Sequence, residues 1–130
     1  MNENSLLCSQ QHGFRPKHST STAVINLTED LQRDIDKGLI VVGLVSLDLE
    51  KAFDLISHDI LLQKLSYFGF HESAIDWFRN YLTTRKQITV NGNESHSCFV
   101  QNGVPQGSIL GPLLFIMFLN DLTKVVKGVV

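Results

Sequence analysis

The sequence lacks an excess of basic charge and has only two cysteines. Its 130 residues carry 11 Lys and Arg against 13 Asp and Glu, a net charge of −2, whereas free-standing nucleic-acid binders usually show a basic excess. Cys8 and Cys98 stand far apart, which excludes the close cysteine spacing of a zinc site. We expect two free thiols in a reducing compartment, and hence an intracellular protein of the nucleus or the cytoplasm.

Long apolar runs, a signal peptide and the common glycine-rich motifs are also missing. The seven apolar residues at 113–119 fall well short of the roughly 20 that span a membrane, so no membrane partner is expected. Residues 1–5 lack the charged and then apolar layout of a signal peptide. There is no Gly-Lys-Ser/Thr phosphate loop and no Gly-x-Gly-x-x-Gly run, and Ser108 lacks the flanking glycines of a hydrolase elbow. No motif therefore supports a dehydrogenase or a hydrolase.

The overall composition, 43% hydrophobic and 18% charged, is typical of a globular chain. The length leaves room for one compact domain or for part of a larger one. Apolar residues recur at helical spacing after a cluster of capping hydroxyls at 19–21, and Gly38 is a natural helix stop. The pattern predicts a helix of roughly four to five turns. Its apolar positions are Val24, Leu27, Leu31 and Ile35.

Residues 39–47 are apolar and rich in β-branched side chains, and we predict a buried strand there. Asp48 would then be a carboxylate at the end of a central strand, where burial costs free energy unless a partner such as a cation compensates it. A lone Asp after a strand is also a common cap or turn former.

Further along, the apolar spacing predicts a second helix ending at Gly69 and a third carrying Ile75, Phe78 and Leu82. The segments 86–90 and 97–100 flank an Asn-Gly turn, which indicates a β-hairpin. A last helix is predicted from about residue 109 to 125, with Ser108 as its cap. This order of helices and strands indicates an α+β fold.

Two segments about fifty residues apart carry a resemblance to a known family. The sequence DLEKAFD at residues 48–54 and the sequence GVPQGS at residues 103–108 resemble motifs A and B of reverse transcriptases, most closely those of non-LTR retrotransposons. The sequence QHGFRP at residues 11–16 resembles a third family segment. The resemblance covers roughly residues 10–122, and it implies a partial polymerase palm and fingers with an antiparallel sheet and packed helices.

The resemblance assigns roles to residues of the first motif. It makes Asp48 the catalytic and metal-binding carboxylate, with the carbonyl of Leu49 as a further metal ligand and Mg²⁺ as the cofactor. It implies that the backbone N–H groups of Lys51 and Ala52 bind the triphosphate. The ring of Phe53 would lie beneath the sugar and exclude a 2′ hydroxyl, although ordinary core packing of Phe53 is an alternative.

In the other two segments, the resemblance assigns Gln106 and Gly107 to the incoming nucleotide or the template strand. An alternative for this loop is a plain turn with a helix cap. Arg15 could face a phosphate or the template backbone, or be a surface arginine. Asp54 and His58 lie four residues apart, and a hydrogen-bonded structural pair is favoured over a metal role.

The resemblance implies an RNA template, a DNA primer and deoxynucleoside triphosphates as partners, in an RNA-directed DNA polymerase. It also leads us to expect that residues 1–130 form a single partial reverse transcriptase domain, without the upstream fingers motif, the Asp-Asp motif or the thumb. Such a fragment should be inactive by itself. The alternative is a catalytically dead remnant, or a module co-opted for binding nucleic acid or protein.

Overall fold

The computed structural model describes residues 7–39 and 43–122, and it divides the chain into two compact units. The first unit is Met1–Glu50 with Asn120–Val130, and the second is Lys51–Leu119.

The first unit contains helix α1, Thr20–Asp36. Its start is fixed by reciprocal bonds, because the Ser19 hydroxyl accepts from the Thr22 amide at 3.2 Å and the Thr22 hydroxyl accepts from the Ser19 amide at 2.8 Å. Gly38 follows the helix with φ +85°, a conformation that glycine adopts without strain. The predicted helix and both of its ends are therefore confirmed, although none of its residues is buried.

The predicted buried strand at residues 39–47 is wrong over its described part. Residues 43–49 are irregular, and the side chains of Leu44, Val45 and Leu47 are 65%, 82% and 74% exposed. An apolar run becomes a strand only where a neighbouring strand takes up its backbone hydrogen bonds, and among the described residues no strand pairs with 43–47. Asp48 therefore follows an exposed irregular segment, while residues 40–42 lie outside the described residues.

The second unit is built on three helices: α2, His58–Tyr67, α3, Glu72–Thr83, and α4, Leu110–Leu119. Helix α2 packs against both α3 and α4. Gly69 has φ +84° just beyond α2, as predicted. The hydrophobic core cluster of this unit consists of apolar side chains that are each less than a tenth exposed: Ile56, Leu61, Leu62, Leu65, Ile75, Leu82, Val104, Leu114 and Met117.

Helix α4 departs from its prediction in its start and in a turn near its end. It begins one residue later than expected and ends at Leu119, with a turn at 120–121; the predicted end at Val125 lies outside the described residues. Lys64 of α2 donates to the Phe118 carbonyl at 2.5 Å, so a cation satisfies a carbonyl at the negative end of the α4 dipole.

Four short strands complete the second unit. Strand β1, Lys86–Gln87, pairs antiparallel with β4, Cys98–Phe99, and β2, Val90–Asn91, pairs antiparallel with β3, Asn93–Glu94. The predicted hairpin is confirmed, with Gly92 at φ +76° in its turn. Helices with antiparallel strands confirm the α+β class. Among the described helices, none is both long and apolar enough to cross a membrane.

Candidate nucleotide-binding site

A tight turn follows the DLE segment and opens the second unit. The Lys51 carbonyl accepts from the amides of Asp54 at 2.8 Å and Leu55 at 3.1 Å. Lys51 itself has φ +48°, a left-handed conformation that is uncommon for a residue with a side chain. In the described part of the chain, the N–H groups of Lys51 and Ala52 donate to no protein acceptor. The turn thus presents two successive N–H groups that can donate hydrogen bonds to an anionic ligand.

The GVPQGS loop lies alongside this turn as an antiparallel strip. The Val104 amide donates to the Phe53 carbonyl at 2.8 Å, and the Gly103 amide donates to the Ile56 carbonyl at 2.7 Å. An isolated antiparallel bridge joins Ser57 and Asn102 just beyond. Residues about fifty positions apart are therefore held together by backbone hydrogen bonds, which do not depend on side-chain identity.

Gly103 is the position where this strip is tightest. It has φ +85°, and a Cβ placed there would lie 2.8 Å from the Asp54 Cα and 2.8 Å from the carbonyl oxygens of Phe53 and Asp54. Glycine is therefore needed both for conformation and for space. Gly107 has φ +76° with nothing within 4 Å of its Cβ position, so conformation alone requires glycine there and the space beside it is open.

Side chains add two further links. Gln106 donates from Nε2 to Oδ1 of Asp54 at 2.8 Å, which ties the loop to the turn and leaves the amide oxygen of Gln106 available. The Ser108 hydroxyl accepts from the Gly111 amide at 2.9 Å and donates to the Pro105 carbonyl at 2.8 Å. The predicted cap of the last helix is confirmed.

The ring of Phe53 is half-buried and stacks on the ring of Phe115 in α4. The ring centroids are 4.5 Å apart and the planes differ by 19°, a geometry that stabilises an aromatic pair. Phe53 therefore does pack against the core, as the alternative interpretation predicts. The stacking also restricts the motion of the Phe53 ring, which lines a pocket.

That pocket has a volume of about 380 Å³ and brings together five of the residues that the sequence assigns to nucleotide binding. They are Lys51, Ala52, Phe53, Gln106 and Gly107, and Pro105 and Pro112 complete the lining. The pocket lies entirely within the second unit.

Asp48 and Leu49 belong to the first unit, at the end of its exposed irregular segment. Both residues are exposed. Across residues 7–39 and 43–122, no group of three or more His, Cys, Asp or Glu side chains is placed to hold a metal ion. The metal-binding roles of Asp48 and Leu49 stay predictions.

Arg15 also lies in the first unit, where its guanidinium braces a loop. One nitrogen, Nη1, donates to the Cys8 carbonyl at 2.9 Å and to the Gln11 carbonyl at 3.3 Å. An arginine has five N–H donors, so these bonds leave donors for a phosphate. The template role of Arg15 stays a prediction.

Two side chains support the loop: Arg85, which sequence reasoning missed, and His58, for which it predicted a different partner. His58 donates from Nε2 to the Gly103 carbonyl at 2.8 Å, and Arg85 donates from Nη2 to the same oxygen at 2.8 Å. The predicted hydrogen-bonded pair of Asp54 and His58 is wrong, because Asp54 bonds to Gln106 and α2 begins only at His58. No local signal marks Arg85, whose partner lies 18 residues away.

Comparisons with known proteins agree with the motifs. Residues 1–129 match the family model described as "Reverse transcriptase (RNA-dependent DNA polymerase)". The chain is 35% identical over 123 residues to the "Probable RNA-directed DNA polymerase from transposon BS" of Drosophila melanogaster, covering 94% of this chain and 13% of that protein.

Two further relatives are carried by mobile elements. The identity is 36% over 81 residues to the "Retrovirus-related Pol polyprotein from type-1 retrotransposable element R2" of Popillia japonica, covering 62% of this chain and 13% of that protein. The identity is 31% over 113 residues to the "RNA-directed DNA polymerase from mobile element jockey" of Drosophila funebris, covering 86% of this chain and 12% of that protein. The chain thus spans about an eighth of the length of these relatives.

Proposed function

Because the chain belongs to the reverse transcriptase family and is similar to its non-LTR retrotransposon members, we propose that it supplies part of the nucleotide-binding palm and fingers of an RNA-directed DNA polymerase. The substrates of that longer protein would be an RNA template, a DNA primer and deoxynucleoside triphosphates. The reaction would be transfer of a nucleotide to the primer 3′ hydroxyl.

One observation carries this proposal: the pocket formed where the turn at 51–54 meets the loop at 103–108. Its volume of about 380 Å³ lies within the roughly 300–1,000 Å³ of small-molecule sites. Five of the residues lining it were assigned to the nucleotide from the sequence motifs alone. The two motifs lie about fifty residues apart in the sequence, and their shared pocket is what a common role in nucleotide binding predicts.

The chemistry of the lining suits a nucleoside triphosphate. The amides of Lys51 and Ala52 and the Lys51 ammonium offer positive charge to phosphate oxygens. The ring of Phe53, fixed by its stacking on Phe115, is a rigid surface for the sugar. Gln106 retains an acceptor oxygen and one N–H for a base or a strand, because only one of its donors is needed for Asp54.

Members of this family generally use divalent metal ions, and we propose Mg²⁺ for the parent protein. Asp48 and the carbonyl of Leu49 would be two of its ligands, since Mg²⁺ prefers oxygen. A two-metal site takes ligands from more than one carboxylate. The other ligands would come from parts of the parent protein outside the described residues.

The test is primer extension by a full-length protein that contains this chain, on an RNA template with deoxynucleotides. Asp48→Ala should abolish extension, while Asp59→Ala, which removes an exposed carboxylate from α2, should leave it unchanged. Full activity of Asp48→Ala would contradict the proposal. Nucleotide binding without any extension by the unmodified protein would favour the co-opted binding module instead.

Phe53 allows a second test, of substrate selection. Phe53→Val shortens the rigid surface beneath the sugar and should raise incorporation of ribonucleotides relative to deoxynucleotides. Phe78→Val, which alters a half-buried ring of α3 that contacts Phe70, controls for lost packing. Equal selectivity in the two variants would remove Phe53 from the sugar site.

A further inference from the structure

The carbonyl oxygen of Gly103 receives two side-chain donors, both at 2.8 Å: Nε2 of His58 and Nη2 of Arg85. A carbonyl oxygen has two lone pairs, so these two donors use its full capacity to accept hydrogen bonds. Since a carbonyl can only accept, Nε2 of His58 must carry a hydrogen. His58 is 5% exposed and is the buried polar side chain of the described core, which makes this contact costly to lose.

The two donors reach Gly103 from different elements. His58 is the first residue of α2, and Arg85 lies between α3 and β1. Arg85 is itself oriented, because its Nε donates to the Leu82 carbonyl at the end of α3 at 3.3 Å. Its own carbonyl accepts from the Val100 amide at 3.0 Å. The guanidinium therefore points in a fixed direction, and the Gly103 peptide is held between two rigid supports.

The orientation of this peptide decides how the walls of the pocket meet. The same peptide group carries the Val104 amide, which it directs to the Phe53 carbonyl, while the Gly103 amide, in the preceding peptide group, donates to the Ile56 carbonyl. Pro105 then continues the loop with restricted φ, and Gln106 reaches Asp54. The two walls of the pocket are thus held in register by the two peptide groups that flank Gly103.

We propose that His58 and Arg85 are positioning residues, which act through the Gly103 carbonyl to set the spacing between Phe53 and Gln106 and thereby the affinity of the pocket for the incoming nucleotide. Neither side chain lines the pocket, so neither is a catalytic residue. The effect on nucleotide affinity rests on the function proposed above, whereas the anchoring of the loop does not.

Hydrogen exchange in the 130-residue chain tests the anchoring without reference to activity. Arg85→Met should speed exchange at the Val104 amide by about tenfold or more, the loss expected for one hydrogen bond to a charged donor, while the Leu65 amide inside α2 changes little. Arg79→Met removes an exposed arginine that faces Asp76 at 3.8 Å and should change neither. Equal acceleration at Val104 and Leu65 in Arg85→Met would mean general destabilisation and would overturn the anchoring role.

Steady-state kinetics of a full-length protein test the consequence. Arg85→Met should raise KM for the deoxynucleotide about tenfold and change kcat less than about threefold, the pattern of a lost binding contribution. His58→Leu should act in the same direction. His58→Gln, whose amide Nε2 can still donate to the Gly103 carbonyl, should restore KM to within about threefold of the unmodified protein.

The two proposals fail in different ways. If the unmodified full-length protein extends no primer, the proposed function fails, and the exchange experiment still decides the anchoring. If it extends primers but Arg85→Met has the KM of the Arg79→Met control, or His58→Gln is as impaired as His58→Leu, the positioning role is wrong. Should His58→Leu fail to fold, the comparison of Arg85→Met with Arg79→Met remains decisive.

Discussion

Alanine at Gly103 is the sharpest perturbation that the second unit offers. The residue has φ +85°, and an added Cβ would lie 2.8 Å from three backbone atoms of Phe53 and Asp54. Those atoms belong to the strip that joins the turn to the loop, so they cannot move aside as a flexible side chain would. The substitution therefore adds a steric cost to the conformational one.

A matched control separates the two costs. Gly69 has φ +84°, almost the same as Gly103, but nothing lies within 4 Å of its Cβ position. Gly69→Ala should cost about 1–2 kcal/mol, the price of a left-handed conformation for an L-residue. Gly103→Ala should cost about 2–5 kcal/mol, because overpacking adds roughly 1–3 kcal/mol.

The assay is urea unfolding followed by circular dichroism. With a slope of about 2 kcal/mol per molar urea, Gly103→Ala should lower the unfolding midpoint by about 1–2.5 M and Gly69→Ala by about 0.5–1 M. A Gly103→Ala midpoint equal to that of Gly69→Ala would refute the reasoning, since it would show that the close approach of the loop to Asp54 does not constrain the chain.

Three further experiments test the core, the cap and the link across the pocket. Leu114→Ala, at a core position that is 1% exposed, should cost about 2–5 kcal/mol in urea unfolding, against less than about 0.5 kcal/mol for Leu55→Ala at a position that is 65% exposed. Ser108→Ala should cost about 0.5–2 kcal/mol, because the Gly111 amide loses its acceptor; unchanged stability would contradict the cap. A double-mutant cycle on Asp54 and Gln106 should give a coupling free energy below about 1 kcal/mol, since both side chains are exposed, and a larger value would show that the pair is shielded from water.

Residues whose structure depends on their near neighbours were predicted well. The hydroxyls at 19–21 and Gly38 bound α1 as expected, Gly69 follows α2, and Ser108 caps α4. In each case the partner is a backbone group within four residues, so spacing along the chain contains the required information. The apolar spacing of α3 likewise matches the face that packs in the core, where Ile75 and Leu82 are buried and Phe78 packs against the core cluster.

The run at 39–47 was mispredicted for the opposite reason. Apolar and β-branched residues favour a strand, but a strand exists only against a partner. No property of Leu44, Val45 or Leu47 reveals whether one is present, and in the structure these side chains are exposed. The same limit applies to Asp54 and His58, whose spacing suggested a pair although each bonds to a more distant group.

By itself, the sequence determined the α+β class, the helices and the family, together with the two motifs that carry the candidate site. Helix caps, apolar periodicity and glycine stops act over a few residues, and motifs are read directly from residue order. Only the tertiary structure decided that the motifs share one pocket and that His58 and Arg85 converge on the Gly103 carbonyl. Those contacts join residues 18 to 52 positions apart, and such pairs meet only because the packing of α2, α3 and α4 brings them together.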